Sequence, residues 1–309
     1  MWTIALWICR SVRVGNQTPP IVSDVAFTVG GEMTESSDRN FRVTASPIPE
    51  GLCELRRLRE QLWTTKGWAI GVDMKNLQRT WYVFHANWSF LDSMIGRFKA
   101  DTTFAMGIAG TSRRQPKLDS FLDDLDVALH NFIASAATLG DHTRRVANRR
   151  VGDDAWKTYQ GEVDRIFADA PRSRFVKDLR NYMLHRTLPL AAGSFNYVKD
   201  GPLTHAIILH VPSMLDWDGW KPLARNYLDS IGDELDLHEC LSAYFEDTQQ
   251  FQRWFGRHVR EVNREALNFA QEIADRGNAM VGPLEKLLDG PLEGETEIPY
   301  ISGTFRRGR

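Results

Sequence analysis

Seven large apolar residues, Leu77, Trp81, Phe84, Trp88, Leu91, Ile95 and Phe98, follow one another in alternating steps of four and three. Only an α-helix returns side chains to one face at that spacing, and six turns of it need a long apolar partner surface. The pattern recurs at Leu118, Phe121, Leu122, Leu125, Leu129, Phe132 and Ile133, running on towards Leu139. It appears again from about Asp236, through Leu241, Tyr244, Phe245, Phe251, Trp254, Phe255, Val259 and Val262. Shorter stripes mark helices at Leu52–Leu62, Trp156–Phe167 and Trp217–Leu228. The first is expected to end in the Gly67–Gly71 region, a loop is expected from Gly107 to Pro116, and Gly282-Pro283 is expected to break the last long helix before a short one at 284–288. One segment reads differently. SFNYV (194–198) and LTHAIILHV (203–211) flank the turn sequence Lys199-Asp200-Gly201-Pro202 and predict a β-hairpin. The predicted fold class is therefore all-α, a bundle of long antiparallel helices with a minor hairpin near 194–211.

Composition narrows the functional classes. A net charge of −2 gives no global field towards nucleic acid or membrane, so any such attraction is local. Cys9, Cys53 and Cys240 are odd in number and far apart, which indicates neither a disulfide framework nor a cysteine zinc site and points to a reducing cytoplasm. The run Thr3–Cys9 is too short, and its basic residues come after rather than before it, for a signal peptide or anchor. Residues 1–50 read as a flexible leader in which Met33 offers an alternative start; 51–190 as the helical bundle; 191–289 as hairpin and further helices packed on it; and 290–309 as a loose basic tail. His238-Glu239 lacks the second histidine of a zinc helix, Asp216-Trp217-Asp218-Gly219 lacks the later ligands of a calcium loop, and no phosphate-binding glycine loop occurs. No metal and no cofactor is expected.

The segment PRSRFVKDLRNYMLHRTLP (171–189) concentrates the remaining chemistry. Pro171 suits a first helical turn, and Pro189 forces Leu188 out of helical geometry. Phe175, Val176, Leu179, Tyr182 and Met183 form the apolar stripe, while Arg174, Lys177, Asp178, Asn181 and His185 fall opposite. Asn181 and His185 are one turn apart, and Arg180 flanks them. An Arg–His pair at this spacing occurs also at Arg79/His85 and Arg253/His258, but only Arg180 combines a following polar residue with a short, proline-bounded helix.

At Leu179-Arg180-Asn181-Tyr182-Met183-Leu184-His185 the chain resembles the HEPN superfamily, helical domains with an Arg, four to six residues, then His. The resemblance implies a metal-independent endoribonuclease of a defence or toxin system, with RNA as substrate, a homodimer that brings two motifs together, and an antitoxin or regulatory partner. It implies catalytic roles for Arg180, Asn181 and His185. His185 would move a proton, Arg180 would stabilise the charge on phosphorus, and Asn181 would position one or the other. One histidine serves poorly as both base and acid, hence the second copy. Some members of the superfamily keep the fold without activity, and the alternative is a non-catalytic all-α interaction protein whose 171–189 face is solvated or binds a partner. Arg144, Arg145, Arg149 and Arg150, in HTRRVANRR, are candidate RNA-phosphate contacts or simple complements to a helix C-terminus. The row Arg253, Arg257, Arg260 and Arg264 reads as a solvated face, and His205 and His210 as ordinary strand residues without partners.

Overall fold

The computed structural model describes residues 26–28, 44–46, 50–110, 116–197, 199, 201 and 203–288. Most of the expected leader, the tail from Gly290 and part of the 199–202 turn lie outside them. The chain forms two compact units. One comprises Met1–Trp68 with Asn268–Arg309, and the other Ala69–Leu267.

The described residues form ten helices: α1 (Glu50–Thr64), α2 (Lys66–Ala100), α3 (Thr102–Ala109), α4 (Pro116–Arg150), α5 (Asp153–Val163), α6 (Pro171–His185), α7 (Val211–Leu215), α8 (Pro222–Ile231), α9 (Leu237–Val262) and α10 (Arg264–Leu288). A π-helical turn, Asp164–Ala168, follows α5. Strands β1 (Ala26–Thr28) and β2 (Thr44–Ser46) pair antiparallel within the leader segment. The class is all-α with a minor antiparallel sheet. Among the described residues no helix is long and apolar enough to cross a membrane.

Several boundaries differ from the expectation, each for a local reason. The first helix ends at Thr65, not at the glycines. Thr65 Oγ1 donates to the Leu62 carbonyl (2.7 Å) and accepts from the Trp68 N–H (3.1 Å), closing one helix and capping the next. Gly67 and Gly71 then lie inside α2, where a glycine costs only about 1 kcal/mol. The loop expected from Gly107 does not begin there, because Asp101 accepts from the Phe104 N–H and starts α3, which runs to Gly110 at φ 63°; residues 111–115 lie outside the described residues. The break placed at Gly282-Pro283 falls instead at Asn263, whose carboxamide donates to the carbonyls of Arg150 (2.8 Å) and Val259 (2.9 Å). Pro283 is carried within α10.

The hairpin is present as β3 (Ala191–Asn196) and β4 (Thr204–His210), antiparallel with Ser194 opposite Ala206. A third strand, β5 (Glu234–Asp236), pairs with β4; three residues between helices carry no readable alternation. Two histidines have the partners that sequence denied them. His205 is buried, its Nε2 3.0 Å from Thr102 Oγ1, and His210 Nδ1 accepts from the Ser213 N–H at the start of α7.

In the larger unit one core runs through α2, α4, α6, the sheet and α9. Leu77, Phe84, Trp88, Leu91, Ile95 and Phe98 are all buried, and Phe84 stacks between Phe132 (5.2 Å) and Phe245 (5.6 Å). Fully burying each such side chain contributes on the order of 1.5–3 kcal/mol. The smaller unit has its own cluster, in which Leu58 and Leu62 meet Ala270, Ile273 and Ala274.

Candidate functional site

Helix α6 begins at Pro171 and ends where the Arg186 N–H reaches the Tyr182 carbonyl, as its sequence predicts. Phe175, Val176, Leu179 and Tyr182 are buried. Trp220, just before α8, stacks on Phe175 (5.6 Å) and Tyr182 (5.4 Å), and Trp217 meets Tyr182 edge-on. Burial pushes the Tyr182 phenol up, with the Arg186 guanidinium opposing. The Trp217 indole lies over Gly219. A Cβ there would stand 2.2 Å from the ring, so the Asp216–Gly219 turn needs glycine for packing.

Asp178 departs from the expectation. It does not sit on the polar face but is 2% exposed, and its Oδ2 accepts from the Lys221 N–H (3.1 Å) at the N-terminus of α8. A carboxylate there satisfies an orphan donor and meets the positive end of the helix dipole. Arg172 pairs with Asp247 of α9 (2.8 Å). Both contacts fix α6 against its neighbours.

The outward side of α6 carries the motif. Arg180 and His185 are exposed and Asn181 is half-buried, with Lys177 and Leu184 exposed beside them and Arg186 exposed just past the helix end. Among the described residues none of Lys177, Arg180, His185 or Arg186 forms an ion pair. Asn181 and His185 lie on adjacent turns without a direct hydrogen bond, so the trio shares a surface rather than a closed pocket.

The basic end of α4 is organised differently. Arg144 pairs with Asp141, and Arg149 contacts Asp73 of α2 (3.6 Å). Arg150 binds Asp73 at 2.7 Å and the Ala69 carbonyl at 3.4 Å. The Arg150 and Asp73 side chains are only 20% and 12% exposed. Of the four candidate RNA contacts, Arg145 alone makes no ion pair among the described residues. On α9 and at the start of α10, Arg253, Arg257, Arg260 and Arg264 are exposed.

Two arrangements escaped the sequence reading. His238 Nε2 lies 2.8 Å from Asp92 Oδ1, joining α9 to α2, with Ser89 and His85 along the same helix (3.4 Å apart). The other is a hollow of about 290 Å³ lined by Asp123, Asp126, Val127, His130 and Asn131 of α4 and by Leu188, three residues past His185. Burial first, and the neighbouring Asp123 second, push the Asp126 carboxyl up, and its Oδ1 is buried without a partner. The spacing Asp123, Asp126, Val127, His130 is itself helical, on the side away from Leu125 and Leu129. Its one described lining residue from outside α4 is Leu188. Among the described residues no three metal-ligating side chains converge. No family model, curated protein or solved structure matches the chain.

Proposed function

We propose that the chain is an HEPN-like, metal-independent endoribonuclease of defence or toxin type, working in the cytoplasm, with Arg180, Asn181 and His185 as one half of a site that a second copy completes. The observation that carries this reading is that Arg180, which forms no ion pair among the described residues, and His185 are both exposed on a helix held by buried Leu179, Tyr182 and Asp178. A guanidinium without a carboxylate partner is open to a phosphate, and a firmly packed helix holds it in place.

In the reaction, one imidazole removes the proton from a 2′-hydroxyl and that oxygen attacks phosphorus. Charge grows on the phosphorane oxygens, where Arg180 stabilises it. The P–O5′ bond breaks, and a second acid, His185 of the other copy, protonates the leaving oxygen. Asn181 orients a phosphate oxygen or the imidazole. RNA is then the substrate, a homodimer the active form, and an antitoxin or regulatory protein a fitting partner for the same face.

His185→Ala and Arg180→Ala should each abolish RNA cleavage, and Asn181→Ala should reduce it partly. Cleavage should persist in EDTA, leave 2′,3′-cyclic phosphate ends, and stop when the scissile nucleotide is 2′-deoxy. Light scattering should show a dimer. If wild type cuts nothing, or His185→Ala cuts equally well, the face is a partner-binding surface instead, a reading favoured by Leu184, 55% exposed in the same row.

A further inference from the structure

The hollow on α4 holds chemistry that the Arg180 trio does not use. Its lining combines two apolar surfaces, Val127 and Leu188, with acceptors on Asp123 and Asp126 and with the imidazole of His130 and the carboxamide of Asn131. A volume of about 290 Å³ lies just below the usual range of ligand sites, room for one heterocycle rather than an extended molecule. It adjoins the end of α6, because Leu188 follows His185 by three residues.

Proteins read single-stranded RNA by splaying a base out of the strand and bonding its edge. Apolar walls suit the faces of such a base. The polar groups select its edge. Guanine alone among the four RNA bases presents two adjacent donors, N1–H and the 2-amino group, next to an acceptor, O6. A carboxylate matches the donors, and an imidazole or carboxamide N–H matches O6. Adenine and cytosine place a ring acceptor beside their amino group, and uracil places acceptors on both sides of its one donor. Each would set a lone pair against Asp123 or Asp126.

We infer that this hollow is a guanine-selective base subsite, taking the nucleotide next to the phosphate held at Arg180. The inference rests on the ribonuclease reading for the identity of its ligand. Asp126 is the principal acceptor, reached on its less buried oxygen, and Asp123 backs it. Burial and the neighbouring Asp123 both raise the Asp126 carboxyl. An N–H donor on its outer oxygen offsets part of the repulsion between the two carboxylates.

The test is calorimetric titration of the full chain with GMP, AMP, CMP and UMP, which share the phosphate and differ only in the base. GMP should bind at least about tenfold tighter than the others, a difference of about 1.4 kcal/mol. Asp126→Asn should remove that preference while circular dichroism stays unchanged, and His185→Ala should retain it. Equal binding of all four, binding of none, or an undiminished preference in Asp126→Asn overturns the inference. Mapping the cut sites of wild type on a mixed-sequence RNA separates this from the underlying reading. Cleavage without regard to guanine leaves the ribonuclease standing and removes the subsite. Selective GMP binding without any cleavage leaves the subsite and removes the ribonuclease.

Discussion

The C-terminal end of α4 and the outward edge of α6 have similar basic sequences and opposite fates. At the first, Asp73 comes across from α2, largely buried, and draws in both Arg149 and Arg150. The Arg150 carbonyl is also taken by Asn263, so this end of the helix is a junction of the fold. At the second, the carboxylate nearest in sequence to Arg180 is Asp178, and it is turned inward onto α8. Lys177, Arg180 and Arg186 are left facing solvent. Counting arginines does not separate an open basic surface from a structural junction. The position of the nearest carboxylate, and its depth, does.

Three substitutions test that contrast by melting. The largest effect belongs beneath the α6 edge, where Leu179→Ala opens a cavity at a fully buried site and should cost about 2–5 kcal/mol. Arg150→Ala should come next, at roughly 2–3 kcal/mol, because it leaves the largely buried Asp73 carboxylate only the longer contact to Arg149. Arg180→Ala should change stability by no more than about 0.5 kcal/mol, as for other exposed, unpaired side chains. A comparable loss for Arg180→Ala and Arg150→Ala would abolish the distinction between the two regions.

The smallest effect carries a pH signature. Asp126 has its carboxyl raised, so folding favours the protonated form. Its charged form therefore costs stability once pH rises through the folded-state value, and that cost is absent in acid below the ordinary aspartate range. Asp126→Asn should raise the melting temperature slightly at neutral pH, on the order of 1 °C given solvent screening of a half-exposed group. The gain should vanish at low pH. A gain that persists in acid would mean that the carboxyl is not strained in the folded protein.

Much of this was legible because long helices repeat their own evidence. Six turns of α2 and nearly the whole of α4 are written in steps of three and four, and α6 announces both its ends with prolines or their effects. The exposure of Arg180 and His185 follows from the same period. Single contacts were not legible. Thr65 and Asn263 end helices through side-chain hydrogen bonds that ordinary residues make only when a neighbour is placed to receive them. Asp178 falls on the apparent polar face, and nothing within α6 tells that α8 presents an unsatisfied N–H there. The α4 part of the hollow repeats at helical spacing, but its other lining residue, Leu188, belongs to a loop whose path no periodicity encodes.

The ring packing behind α6 has an optical consequence. The indoles of Trp217 and Trp220 stand 5.1 Å apart at 82° to one another, with Tyr182 stacked on the second. Indoles this close exchange excitation, and where their transition dipoles are skewed to one another the pair gives a split band that neither indole gives alone. That band sits on top of the amide signal and distorts any helix content read from it. It also reports on one small region, the seating of α8 on the back of the motif helix. Gly219 becomes, in these terms, the residue that tunes an internal chromophore, since any side chain there displaces the Trp217 ring.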